Sequence, residues 1–263
     1  MRDEFGLPFG AGFPEIDRKG MVEVDLLMVH AYAITLARMM ENAGRALAEL
    51  SRRRYLAPGD GASLAGRHVV VLAGAGGNGG GAMTAARRLA CWGARISLVL
   101  TGPAAAVSGV PGEQLAILGH MGITPGDPPA AAADLVLDGL IGYSLRGAPQ
   151  GRAADLIGWA NAQTAPVLSL DVPSGFDAGT GRMADPAIRA DATLTLALPK
   201  RGMTGPGAAG WTGALYLADI SVPPALYARL PVPLTVPPFA MGDIVRVPPA
   251  DQIGSAGSLN PKT

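Results

Sequence analysis

From residue 68 to residue 218 the chain alternates short apolar runs, each closed by glycine, proline or aspartate, with longer stretches of helical character. Runs such as His68-Val69-Val70-Val71-Leu72-Ala73 and Leu135-Val136-Leu137 have no polar face, so both sides of each must be buried. A strand buried on both sides belongs to a parallel sheet covered by helices, and the intervening segments supply the crossovers that parallel strands require. The pattern predicts strands over 68–73, 95–100, 134–137, 167–170, 192–198 and 214–218, with helices at about 80–92, 112–120 and 153–161.

A helical region precedes the sheet. Its signal begins at about Met21, and from Leu36 the apolar positions Met39, Met40, Ala43, Leu47 and Leu50 recur at spacings of three and four, with Thr35 placed to cap the first turn. Met39 and Met40 read as core filling, and Arg52-Arg53-Arg54 as a solvated helix end. A Gly/Pro/Asp turn is expected near Pro58 to Gly61. The fold class is α/β, a three-layer Rossmann-like fold with a mostly parallel central sheet and an N-terminal helical extension. Residues 1–20 form an arm, 21–223 the Rossmann-like domain, and 224–263 a Pro-rich tail, an organisation that 263 residues accommodate around one sheet.

Lysine plus arginine equals aspartate plus glutamate, at 21 each, so no global field attracts a polyanion and nucleic acid is not an expected partner. No stretch approaches about 20 apolar residues, so no membrane span is expected, and the acids in Met1-Arg2-Asp3-Glu4-Phe5 argue against a signal peptide. Cys91, the only cysteine, sits in Arg88-Leu89-Ala90-Cys91-Trp92 and reads as an inert residue on the buried face of a helix. A reducing cytoplasm is the expected location.

In an open parallel sheet, ligands bind beyond the carboxyl ends of the strands, so polar residues there carry the chemistry. The first strand runs into Gly74-Ala75-Gly76-Gly77-Asn78-Gly79-Gly80-Gly81 and then a helix, an arrangement that lets backbone N–H groups approach an anion such as phosphate. Two later strands end in Asp138-Gly139 and in Asp171-Val172-Pro173-Ser174-Gly175, delivering two carboxylates to the same edge. Asn78, Asp138 and Ser174 together offer oxygen ligands suited to a hard cation. His30, His68 and His120 are scattered without metal-ligand spacing and read as structural or exposed. No acid lies about 20 residues beyond the glycines to hold a ribose, and no P-loop lysine or GxSxG elbow occurs, which weighs against a dehydrogenase, an NTPase and a serine hydrolase.

Five segments, in order, resemble the motifs of the YjeF N-terminal domain family, the NAD(P)H-hydrate epimerases. They are Met39-Met40-Glu41-Asn42-Ala43-Gly44-Arg45, the glycine loop with Asn78, Asp138-Gly139-Leu140-Ile141-Gly142, Asp171-Val172-Pro173-Ser174-Gly175-Phe176-Asp177 and Pro199-Lys200-Arg201-Gly202-Met203. The resemblance implies a homodimer that interconverts the two C6 epimers of hydrated NADH and NADPH, so that a separate dehydratase restores the cofactor. It implies one potassium ion per subunit on Asn78, Asp138 and Ser174. Substrate contacts are implied for Gly77, Asn78, Gly79, Gly80, Gly81, for Gly142, Tyr143, Ser144, Leu145, Arg146, Gly147, Ala148, and for Asp171, with Lys200 offsetting phosphate charge and Asn42 buttressing the site. Asp138 or Asp171 is the expected general acid and base. The family loop normally reads Asn-Asn-Gly-Gly-Asp-Gly, where this chain has Gly77-Asn78-Gly79-Gly80-Gly81-Ala82. The alternative reading is a non-catalytic relative that holds a nucleotide-like ligand or a protein partner in the same crevice.

Overall fold

A computed structural model describes residues 1–10, 12–57, 63–229, 234 and 237–248. Two helices lead, α1 (Arg18–Ala31) and α2 (Leu36–Ser51), the second running into a π turn over Arg52–Leu56. Then follow β1 (His68–Ala73), α3 (Gly77–Cys91), β2 (Arg95–Leu100), α4 (Gly109–His120), β3 (Leu135–Gly139), α5 (Gly151–Asn161) and β4 (Val167–Leu170). A small hairpin of β5 (Phe176–Asp177) and β6 (Arg182–Met183) precedes β7 (Ala192–Leu196), α6 (Ala209–Thr212), β8 (Ala214–Ala218), α7 (Pro224–Tyr227) and β9 (Ile244–Arg246).

The main sheet has the order β2-β1-β3-β4-β7-β8-β9 and is parallel except for β9, which runs antiparallel to β8. Strand alternation decides which side chain meets which layer. Val69, Val71, Leu135, Leu137 and Leu168 face Leu47 of α2 and Met83, Ala86 and Leu89 of α3. Val70, Leu72, Val136 and Val167 face Leu156, Ile157 and Ala160 of α5. Each such leucine or valine contributes about 1.5–3 kcal/mol on burial, which makes these two faces the main source of stability. The chain passes from β1 out to β2, then returns to lay β3 on the other side of β1, so a crevice opens at the carboxyl ends of β1 and β3.

Over that edge lies α1. The Asp17 carboxylate accepts a hydrogen bond from Gly20 N at 2.9 Å and starts the helix at Arg18, earlier than its apolar pattern suggests. Its buried residues Met21, Val24 and Met28 pack on Ala197 and Leu198 beyond β7 and on Ile220 beyond β8.

Several expectations need correction. Cys91 is exposed, because two residues beyond buried Leu89 a helix has turned by about 200°. Thr35 occupies the N-cap of α2 but makes no side-chain cap, since its own carbonyl takes the Arg38 and Met39 N–H groups. Arg54 is not solvated: the π turn carries it against Tyr55 and Tyr216, whose hydroxyls it bonds at 2.9 and 3.0 Å. Arg52 and Arg53 bond Glu49. The segment 1–20 is more than an arm, with Leu7 and Ile16 buried and a bridge from Phe9 to Arg246 of β9. The tail supplies α7 and β9, which its proline content obscured. The turn expected at Pro58 to Gly61 and the tail beyond residue 248 lie outside the described residues. Among those described, no helix is long and apolar enough to cross a membrane.

Candidate active site

The glycine loop follows β1 and turns directly into α3. A Cβ at Gly79 would lie 1.8 Å from the Gly74 carbonyl oxygen, so only glycine allows the loop to close on itself. A Cβ at Gly81 would meet Leu170 Cδ2 at 2.7 Å, so the Leu170 side chain fills the space beside that glycine. Gly76, Gly77 and Asn78 face an open cavity, whereas Gly79, Gly80 and Gly81 are buried beneath it. The first turn of α3 therefore points unpaired N–H groups and a partial positive charge along the cavity wall.

Asp138, near the end of β3, is wholly buried. Its Oδ1 accepts from Ser174 Oγ at 2.5 Å and from Leu140 N at 3.2 Å, and its Oδ2 accepts from Ser174 N at 2.8 Å and Ser169 Oγ at 2.7 Å. Burial raises its pKa, and the hydrogen bonds from Ser174, Ser169 and Leu140 oppose that rise. Ser174 Oγ also accepts from Ile141 N at 2.9 Å, while a Cβ at Gly142 would come within 3.2 Å of the Asn78 side chain. Asp138, Ser174 and Asn78 thus converge on the short segment after β3. The Asn78 amide nitrogen is buried and lacks a hydrogen-bond partner among the described residues.

Asp171 directly follows β4 and lines the cavity. Its backbone is left-handed, with φ of 66°, a conformation costing about 1–3 kcal/mol outside glycine and recurrent at active sites. Its Oδ1 pairs with the Lys200 ammonium and its Oδ2 accepts from Tyr143 N at 3.2 Å. Lys200 is fully buried, bonding Thr195 Oγ1 at 3.2 Å and the carbonyls of Leu196 and Leu198 at 2.7 and 3.2 Å. This corrects the expectation of a phosphate-facing lysine: the charge is committed to Asp171. Tyr143 Oη donates to Asp25 Oδ2 of α1 at 2.5 Å.

The cavity measures about 420 Å³, within the range of small-molecule sites. Of the expected residues, Gly77, Asn78, Gly142, Tyr143, Ser144 and Asp171 line it. Leu145 is buried with its carbonyl held by Arg18, and Arg146, Gly147 and Ala148 point to solvent. Asp138 stands behind the wall and does not line it. Sequence reasoning missed the opposite wall, where Met21, Asp25, Leu36 and Ile220 join Met39 and Met40, the pair read as core filling. The only signal available was an acid on the buried side of the first helix, at Asp25 between Met21 and Met28. Glu41 bonds Arg87, Arg88 and Gln114, tying α2 to α3 and α4, and Asn42 bonds Ser221 at 2.9 Å, next to cavity-lining Ile220.

A family model described as YjeF-related protein N-terminus matches residues 36–202. The NAD(P)H-hydrate epimerase of Dehalogenimonas lykanthroporepellens is 44% identical over 88% of this chain and 92% of its own. That of Rhodopirellula baltica is 34% identical over 80% of this chain and 85% of its own. The bifunctional NAD(P)H-hydrate repair enzyme Nnr of Moorella thermoacetica is 32% identical over 79% of this chain, which spans only 40% of that longer protein. The crystal structure of yeast ynu0 superposes with a TM-score of 0.72 at 20% identity, covering 89% of this chain and 99% of that one, a likeness of fold.

Proposed function

The chain belongs to the YjeF-related N-terminal family, and from that premise we propose that its cavity epimerises hydrated NADH and NADPH at C6 of the nicotinamide ring. It acts as an isomerase of nicotinamide nucleotide repair. The observation that carries the site assignment is Asp171, a carboxylate paired to a buried lysine and opening into the cavity beside the glycine loop.

C6 of the hydrated ring is a hemiaminal carbon. Protonation of its hydroxyl lets the C6–O bond break as water leaves, with the N1 lone pair forming a C6–N1 double bond. Water then adds to the other face, loses a proton, and the π electrons return to N1. Atoms and electrons balance without an oxidant. Each half of the cycle needs a proton moved at the substrate oxygen, a role for a carboxylate that reaches the cavity. Asp171 reaches it, so we assign it the acid and base role, and assign Asp138 to holding the loop. The apolar wall of Met21, Leu36, Met39 and Met40 limits stray water around the reacting carbon.

Asn78, Asp138 and Ser174 offer side-chain oxygens suited to a potassium ion, and Asp138 is a buried carboxylate forming no ion pair among the described residues. When bound, the cation would supply a fixed charge that offsets Asp138 and steadies the loop after β3. KCl is then expected to raise the thermal midpoint above that in LiCl at equal ionic strength, and Asp138→Asn is expected to erase the difference. Equal midpoints for the unmodified protein in the two salts would remove the cation from this site.

A homodimer accompanies this reading, for which Val22, Leu26 and Val29 offer an exposed apolar row along α1. A cytoplasmic setting suits the exposed free thiol of Cys91. The bifunctional relatives support a functional link to a dehydratase. The decisive assay mixes the chain with the epimer that a stereospecific dehydratase cannot use, together with that dehydratase. Recovery of reduced cofactor absorbance is expected. Binding of the hydrate without recovery would overturn the epimerase reading in favour of a ligand-holding relative.

A further inference from the structure

One cavity carboxylate is left unused by the mechanism above. Asp25 reaches the cavity from α1, and its Oδ1 accepts no hydrogen bond among the described residues, while Oδ2 is held by Tyr143 Oη. Tyr143 is fixed at both ends, since its backbone N–H donates to Asp171 Oδ2. The two carboxylates therefore stand one tyrosine apart on different walls: Asp171 belongs to the sheet edge, and Asp25 to the helix packed over it.

Inversion at C6 makes a demand that one carboxylate cannot meet. Water that leaves and returns through the same group restores the starting epimer. Inversion needs a second group on the opposite face of the ring, the logic by which glycosidases that invert configuration place two carboxylates across an electron-poor ring carbon with room for water. We propose that Asp25, oriented by Tyr143, is the second proton-handling group, serving the ring face turned to α1 while Asp171 serves the face turned to the sheet. The proposal rests on the epimerase reading. In one direction Asp171 protonates the departing hydroxyl, the C6–O bond breaks, and Asp25 takes the proton of the water that adds from its side. In the other direction the roles exchange, and the proton count is restored through solvent. Burial raises the pKa of Asp25; the Tyr143 hydrogen bond lowers it, repulsion from Asp171 raises it and attraction to Lys200 lowers it.

The test follows oxygen and configuration together, with each hydrate epimer incubated in H₂¹⁸O, the uncatalysed rate subtracted, and products resolved by chiral chromatography and mass spectrometry. The unmodified protein should incorporate label as it inverts. Asp25→Asn should invert at least about tenfold more slowly with KM little changed, yet still exchange label into the unconverted epimer, because Asp171 remains on one face. Asp25→Glu should recover part of the inversion. Inversion at the original rate in Asp25→Asn, or parallel loss of exchange and inversion, would overturn the proposal, the latter marking a merely structural role. Inversion without label uptake by the unmodified protein would overturn it too. Absence of any inversion by that protein sinks the epimerase reading instead. Should circular dichroism find Asp25→Asn unfolded, Tyr143→Phe carries the same test, with exchange expected to outlast inversion and unchanged inversion counting against Asp25.

Discussion

Asp171→Asn is expected to lower the epimerisation rate by about 10²–10⁴-fold, the range that a positioned acid or base contributes. The amide can neither give nor take the proton at the substrate oxygen, although it retains the shape of the carboxylate. The variant has a second consequence that has to be separated from the first. Removing the carboxylate leaves the Lys200 ammonium buried without its counter-charge, so part of any lost activity could come from a damaged fold. Adding Lys200→Met removes that charge, since a buried ion pair replaced as a pair is often tolerated. The double variant is therefore expected to regain stability and remain inactive, with rates read by the dehydratase-coupled assay well below its melting point. Recovery of activity along with stability would remove Asp171 from the chemistry.

Lys200→Met alone is expected to destabilise the protein by about 3–5 kcal/mol, the usual cost of breaking a buried pair from one side. For a domain of this size that corresponds to a fall of about 6–20 °C in Tm. The lysine satisfies Asp171, Thr195 and the carbonyls of Leu196 and Leu198, so its loss leaves all four acceptors without their donor. Urea unfolding at pH 7 checks the value, and a change below about 1 kcal/mol, typical of an exposed ion pair, would show that the pair is not buried in solution.

Much of the fold was legible in the sequence because the signals are local. The strands 68–73, 95–100, 167–170 and 214–218 coincide with β1, β2, β4 and β8, since each is a short, mainly apolar run with a clear stop. The helix after the glycines begins at Gly77 rather than residue 80, because helix propensity counts against glycine while packing on Leu170 and Met40 demands it. β9 went unseen: three residues amid prolines carry no pattern of their own, and the strand exists because β8 offers an edge.

The candidate site divides in the same way. That Asn78, Asp138, Asp171 and Ser174 lie near one edge followed from their places at strand ends, where alternation and chain direction leave little choice. Which of the two acids opens into the cavity depended on contacts between distant segments. Ser174 encloses Asp138 from 36 residues away, and Tyr143 reaches Asp171 across 28 residues and Asp25 across 118. Lys200, a residue type that ordinarily seeks water, is buried because the turn after β7 folds its ammonium back onto Asp171. The sequence alone therefore determined the sheet, its helices and the edge where chemistry gathers, all of which arise from side-chain periodicity over a few residues. Only the tertiary structure decided exposure, pairing and the part played by α1, because these depend on packing between segments whose separation leaves no local trace.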